Sequence, residues 1–295
     1  MGKSQLKAMK YNVSKANRLG NRKSNQDRMG VVETRHAILL VLADGLGGHA
    51  GGDLAAETVV SCAIRLFKSA TQPISNPAAF INDIILRAQR EVLNLATSSK
   101  PALAAKSTCV VCIVQNGFAH WGHLGDSRLY VVRNKAILTR TIDHSRVEEL
   151  FKQGLISEKE KSTHPDKNLI TRCIGSESQR PLPSISRAQP LQRGDVILLC
   201  SDGLWSPLSD REIIKGVHKK NFDDAIEDLA SEAEETSYPH SDNISVVALR
   251  WLTDLTKKKV ASKANKVMKE TKRDIESVNK EMDDMIKKLK NIVNK

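Results

Sequence analysis

Ser107-Thr108-Cys109-Val110-Val111-Cys112-Ile113-Val114, then Asn116-Gly117, then a second apolar-rich run at 118–124, reads as two strands joined by a tight turn. β-Branched residues crowd the first run, as they do in a strand covered on both faces. Asn-Gly supplies the two positive φ angles that a two-residue hairpin needs. Working outward, further strand-like runs lie at 38–43, 128–132, 196–200 and 244–251, each bounded by Gly, Asn or Asp. Helical periodicity falls at 50–67, 77–95, 147–153, 210–217 and 223–234. Strands that come in adjacent pairs favour antiparallel sheets with helices laid on their outer faces over a doubly wound parallel sheet, so the expected class is α+β.

The 295 residues carry 46 Lys and Arg against 34 Asp and Glu, a net charge of +12, and the location of the excess is informative. Residues 1–30 hold eight basic groups and one acid, and 253–295 hold thirteen and seven, which leaves the middle nearly neutral. Nucleic-acid binding calls for a basic face interleaved with stacking aromatics, and aromatics make up only 4% of the chain, so no nucleic-acid partner is expected. Two basic ends around a neutral body suit an acidic partner, an anionic membrane surface or, best, solvated tails. No window approaches 18 uncharged apolar residues, so no transmembrane segment is expected. The N-terminus has no apolar h-region, and Leu6 stands where a myristoylation signal needs Ser or Thr. A cytoplasmic location is the expectation. Five scattered cysteines argue against a disulfide framework, and although Cys109 and Cys112 have redox spacing, residues three apart on a strand face opposite ways.

After Trp251 the chain changes character. From Thr256 it has no Gly, Pro or aromatic residue, and Ile275, Val278, Met282, Met285, Leu289 and Ile292 follow alternating steps of 3 and 4. This predicts a domain over 1–252 and a basic amphipathic helical or coiled-coil tail over 253–295. The tail helix would bind a protein partner, a second copy or its own domain, and the weak Ala and Thr heptads at its start do not choose among them.

Carboxylates at strand ends hold the chemistry. Asp44-Gly45 follows an apolar run, Asp126 follows Leu124-Gly125, Asp202-Gly203 follows the 196–200 strand, and Asp242-Asn243 precedes the last one. Converging acids repel one another unless a hard divalent cation such as Mg²⁺ or Mn²⁺ sits between them. Read in order, Asn25-Gln26-Asp27, Asp44-Gly45-Leu46-Gly47-Gly48-His49-Ala50-Gly51-Gly52, Gly125-Asp126-Ser127-Arg128, Asp143-His144-Ser145, Ser201-Asp202-Gly203-Leu204-Trp205 and Asp242-Asn243-Ile244 closely resemble the metal-dependent serine/threonine protein phosphatases of the 2C type, in their bacterial form. The resemblance spans roughly residues 11–252.

The resemblance implies a sandwich of two antiparallel sheets flanked by helix pairs, here with a C-terminal helix added. It also implies two or three Mn²⁺ or Mg²⁺ ions. Asp44 would bridge two of them, Asp202 and Asp242 would complete one, the Gly45 carbonyl would serve the other, and Asp126 would help hold a third. Asp27 would orient metal-bound waters, and Arg22 would bind the phosphoryl group through its planar guanidinium, in a way Lys23 cannot. The implied reaction is hydrolysis of phosphoserine and phosphothreonine by a metal-activated water, opposing a serine/threonine kinase. No Cys-x5-Arg nucleophile loop is present to offer a covalent route.

The chain departs from the family pattern twice. Leu46 stands where many animal members have a histidine proposed as the acid for the leaving oxygen, so water is expected to protonate that oxygen, with His49 a structural or rim residue. Gln26 replaces the usual Glu and removes a negative charge near the second metal. The segment from Ser145 to Asn168 resembles the family's flap and is expected to set substrate choice. His164-Pro165-Asp166 reads as a turn, and His120 and His123 as packing residues. Two other functions fit parts of the pattern: a catalytically silent phosphoprotein-binding scaffold acting through the tail, against which the four costly acids argue, and a phosphatase for a small-molecule phosphate.

Overall fold

The computed structural model describes residues 9–46, 51–99, 104–177, 181–219 and 221–253. The most instructive element is β3, Ala37–Ala43, in which every residue is buried. Leu39 and Val41 face one helical layer while Ile38, Leu40 and Leu42 face the opposite sheet. A strand with no polar face must be covered on both sides, and this one sits between two cores.

β3 pairs antiparallel with β2 (Arg28–Glu33) and with β6 (Cys109–Gln115), and β6 pairs with β7 (Phe118–Leu124) through the expected hairpin. Asn116 and Gly117 at its turn have φ of 55° and 82°. Short strands β10 (Ser184–Ile185) and β11 (Gln189–Pro190) line the outer edge of β7. A second sheet has the order β1 (Tyr11–Arg18), β13 (Ile244–Trp251), β12 (Val196–Cys200), β8 (Arg128–Arg133) and β9 (Ala136–Arg140), again antiparallel throughout. A two-residue ribbon, β4 (Gly45–Leu46) with β5 (Lys106–Ser107), completes the strands.

Helices α1 (Gly52–Ser69) and α2 (Pro77–Ser98) bury their apolar stripes on the β3 sheet. The short α4 (Asp202–Trp205), α5 (Asp210–Gly216) and α6 (Phe222–Ser237) cover the β12 sheet. Between the sheets, residues from β3 and β6 interdigitate with Leu129, Val131, Ile197, Leu199, Val247 and Leu249. The layers run helix, sheet, sheet, helix. Helix α3 (Arg146–Lys152) lies between the sandwich strands β9 and β12 in sequence, in the segment read as a flap. The cysteines follow the strand geometry: Cys109 lies in the helix-side core, Cys112 in the inter-sheet core, and all five are free thiols.

One expectation is corrected. The basic stretch before residue 30 is not a solvated tail from Tyr11 onward: β1 pairs along its whole length with β13, and Arg18 reaches Glu227 and Glu234 of α6. Exposed Lys15 and Asn17, with Arg18 beyond them, make this edge strand look like a polar tail while Ser14 and Ala16 are buried. At the other end, the hydrogen-bonded edge continues one residue past 252, because the Lys10 amide donates to Thr253 Oγ1 (2.7 Å) and the Leu252 amide to Lys10 O (2.8 Å). The chain divides after Thr253. The heptad residues of the tail, and His49, lie outside the described residues.

Candidate active site

Alternating strand direction brings the ends of β3, β7 and β12 and the starts of β2, β8 and β13 to the same end of the sandwich. Asp27 immediately precedes β2, Asp44 follows β3, Asp126 lies in the β7–β8 turn, Asp202 opens α4 after β12, and Asp242 comes just before β13. The five acids therefore form one electrostatic cluster. Loss of solvation and then the charges of Asp27, Asp202, Asp126 and Asp242 push the Asp44 carboxyl well above the usual range. Asp126 moves the same way, through burial and then Asp202 and Asp143. Burial first, with Asp202 and Asp242 adding to it, raises Asp27 to about 8 against hydrogen bonds that pull it down. Asp202 is raised to about 6 by burial and Asp242, with Arg22 opposing.

Each acid is held by its own scaffold. The Ser201 hydroxyl donates to Asp27 Oδ2 (2.7 Å) while Ser201 Oγ accepts from the Ser245 amide (3.0 Å), and the Asp27 amide donates to Asn25 Oδ1 (2.9 Å). The Asp44 amide donates to Thr108 Oγ1 (2.9 Å), and Asp44 O accepts from the Thr108 amide (2.8 Å) and the Ser107 hydroxyl (2.9 Å). Asn243 ties three loops together: its Oδ1 accepts from the Gln26 amide (2.9 Å), its Nδ2 donates to Leu19 O (2.9 Å) and Ser24 O (3.1 Å), and its amide donates to Asp242 Oδ1 (2.7 Å). Below Asp126, Arg128 grips Asp143 through two nitrogens (2.9 and 2.7 Å), stacks 3.5 Å over the Trp205 ring and donates to Tyr130 Oη (3.2 Å). In the sequence Ser201, Asn243, Arg128 and Asp143 stand only within motifs, and nothing in their spacing marks this bracing. The signal for Arg128 and Asp143 was a charge pair flanking two β runs.

The cluster fits hard divalent cations on several independent grounds. Asp27, Asp44, Asp126 and Asp202 are all pushed toward the protonated form by burial and by one another's charges, a conflict that an intervening cation would relieve. Asp126 Oδ1 is buried without a partner. A positive group already rests on the cluster, since Arg22 Nη2 donates to Asp242 Oδ2 at 2.6 Å. At Gly45 a Cβ would meet Gly52 O at 2.3 Å and Gln26 O at 2.9 Å, so only glycine lets the backbone pass this closely between those two segments beside Asp44. The donors are oxygens throughout, which select Mg²⁺ or Mn²⁺ over softer ions. Among the described residues no three His, Cys, Asp or Glu side chains are close enough to hold an ion by themselves, so water and backbone oxygens would have to complete the coordination of an ion bound here.

The histidines fall where packing puts them. His123 and His144 stack with centroids 4.5 Å apart, and His144 Nδ1 accepts from the Gly125 amide (3.2 Å), so neither is free to act as the acid for the leaving group. Burial, followed by the neighbouring His123, holds His144 down to about 3. Leu46 lies in the β4 ribbon opposite Lys106 and offers no proton. His164-Pro165-Asp166 is a turn, with the Asp166 amide donating to His164 Nδ1 (3.1 Å).

Residues 16–245 match the family model described as Protein phosphatase 2C. The chain is 30% identical over 243 residues to the serine/threonine phosphatase stp of Listeria monocytogenes, covering 80% of this chain and 93% of that one. Its fold is similar to that of the Streptococcus agalactiae serine/threonine phosphatase, with a TM-score of 0.72 and 30% identity over 83% of this chain and all of the other. It is also similar to the catalytic domain of the phosphatase PstP, solved in complex with two manganese ions, with a TM-score of 0.70 and 26% identity over 82% and 99%. Among the described residues no helix is long and apolar enough to cross a membrane. Matching motifs, matching layers and a match over most of the length agree: the chain belongs to the protein phosphatase 2C family and is a serine/threonine protein phosphatase.

Proposed function

We propose that this phosphatase hydrolyses phosphoserine and phosphothreonine on cytoplasmic proteins, opposing a serine/threonine kinase, with Asp44, Gly45 O, Asp202 and Asp242 holding two Mn²⁺ or Mg²⁺ ions and Asp126 helping to hold a third. The observation that carries the reading is the set of mutually repelling carboxyls at one end of the sandwich. Bound ions of this kind supply water acidified toward neutrality and positive charge against the phosphoryl oxygens. The protein residues do the rest. Asp27, fixed by Ser201 and Asn25, orients water that approaches the phosphorus. Arg22 is exposed and swings from Asp242 onto the phosphoryl oxygens, where its fork makes paired hydrogen bonds. With Leu46 in place of an acid, the leaving oxygen takes its proton from water. Five free thiols accord with a reducing compartment.

Phosphopeptide turnover assayed with Mn²⁺ and again with excess chelator tests the reading, and turnover that survives the chelator would overturn it. Arg22→Ala is expected to raise KM for phosphopeptide about tenfold or more, and Arg22→Lys to restore only part of the loss, because an ammonium cannot form the bidentate pair. An unchanged KM in both variants would remove Arg22 from the site. The tail from residue 254 is proposed to associate with a partner or a second copy, without a part in catalysis. Truncation after Thr253 should leave turnover per molecule unchanged and alter hydrodynamic size or partner capture; lost turnover would make the tail part of the catalytic unit.

A further inference from the structure

Beyond the acid cluster, the described residues contain a second concavity, a groove of about 340 Å³ between the edges of the two sheets. One wall is the end of β9 and the segment after it, with Arg140 and Ile142; the other is the chain joining β10 to β11, with Ile185 and Arg187; Trp121 and His123 of β7 lie between them. Its charge has one sign. Two arginines line it and no carboxylate does. Arg140 is held at the wall by Asp210, 3.2 Å away, whereas Arg187 is exposed and makes no ion pair among the described residues. Ile142, 52% exposed, gives the groove an apolar lip. β9 is the outer strand of its sheet, so the backbone groups on its free side have no strand partner among the described residues.

The groove's lining residues stand close to the active-site residues along the chain. His123 is three residues from Asp126, and Ile142 is adjacent to Asp143, the partner of Arg128. At about 3.3 Å per residue, the level of Trp121 on β7 lies roughly 16 Å from Asp126. An extended peptide covers that span in about five residues. An exposed edge strand beside two arginines, one of them without an ion pair among the described residues, is the surface on which an extended acidic segment docks by backbone pairing and charge. The chain's own tail is a poor occupant, since residues 254–295 carry thirteen basic groups against seven acids.

We propose that this groove is a docking site for an extended acidic segment of the phosphoprotein substrate, its Asp or Glu residues pairing with Arg187 and Arg140 while the phosphorylated residue, some four to six positions away, occupies the acid cluster. The proposal rests on the reading of the enzyme as a phosphoprotein phosphatase. It makes substrate choice a property of two sites, one for the phosphate and one for its sequence context.

The test uses the full chain with Mn²⁺ and phosphothreonine peptides that carry a Glu-Glu pair four to six residues to either side of the phosphate, against matched peptides with Ala-Ala. Wild type should show a KM several-fold lower for an acidic peptide on at least one side. Arg187→Ala should remove that advantage, and Arg187→Glu should reverse it, with kcat and the hydrolysis of p-nitrophenyl phosphate unchanged. Because Arg187 is exposed and unpaired, both variants are expected to fold, and the small substrate reports on folding and metal loading. Equal KM for acidic and neutral peptides in wild type, or an acidic preference that survives Arg187→Glu, overturns the groove and leaves the phosphatase reading intact. Failure to hydrolyse any phosphopeptide while p-nitrophenyl phosphate is cleaved overturns both.

Discussion

Asp44→Asn and Asp202→Asn should each abolish most turnover and yet make the metal-free protein more stable. The loss of activity follows from the chemistry: the ions these residues are proposed to hold contribute several kcal/mol of charge stabilisation to the transition state, so a drop of roughly 10²- to 10⁴-fold in kcat is expected. The gain in stability follows from the cluster itself. Without metal, the Asp44 carboxyl faces four other acids, and burial already disfavours its charge. An amide of nearly the same shape carries no charge to bury or to repel. In excess chelator near pH 8, thermal unfolding of Asp44→Asn should therefore occur above that of wild type, and the order should invert on adding Mn²⁺, because only wild type gains the binding free energy. A scaffold that merely binds phosphoproteins would show the stability change with no turnover to lose. An Asp202→Asn protein with normal turnover would remove that residue from the metal site.

How much of this was legible depended on which physical signal each element left in the sequence. β3, β6 and β12 are buried along their whole length, so an unbroken apolar run announced them. The edge strands were hidden: β9 alternates half-buried and exposed residues, and β1 carries Lys15 and Arg18, so composition made β1 look like a solvated arm. The acids were legible through position, each beside a glycine or asparagine at the end of an apolar run. Their convergence was not, because it depends on strand direction and pairing, which only the resemblance to a family supplied. The bracing hydrogen bonds left still less trace. Ser201, Thr108 and Asn243 are small polar residues at strand ends, the commonest turn chemistry there is, and what distinguishes them is partners up to 224 residues away. The short α4 shows the same limit. Four residues carry no periodicity, and Asp202 and Trp205 were recognisable only as a motif.

Metal removal should make stability fall as pH rises, the reverse of the usual behaviour of carboxylates in folded proteins. Asp27 and Asp202 titrate near 3.8 when unfolded, and in the metal-free fold they are raised to about 8 and about 6. A group whose folded pKa is raised binds more protons in the native state, so its contribution is fully present below about pH 4 and is lost as pH climbs through 6 and then 8. His144 works in the opposite direction: lowered from 6.5 to about 3, it destabilises the fold only as pH drops below 6.5. Above pH 6.5 the histidine is silent and the acids alone set the slope. Asp27 then accounts for up to about 1 kcal/mol per pH unit between 6.5 and 8, which for a unit of this size corresponds to a fall of roughly 2 to 4 °C per pH unit in the unfolding temperature. Calorimetry of the chelated protein across this range reads the slope directly, and Asp27→Asn should reduce it while leaving the share that Asp44 and Asp126, raised in the same way, contribute. Saturating Mn²⁺ should reverse the trend, since cation and proton compete for the same carboxylates and the cation gains as pH rises. A chelated protein whose unfolding temperature is flat or rising from pH 6.5 to 8 would mean that the five acids are not electrostatically coupled, and the case for a shared metal centre would fall with that coupling.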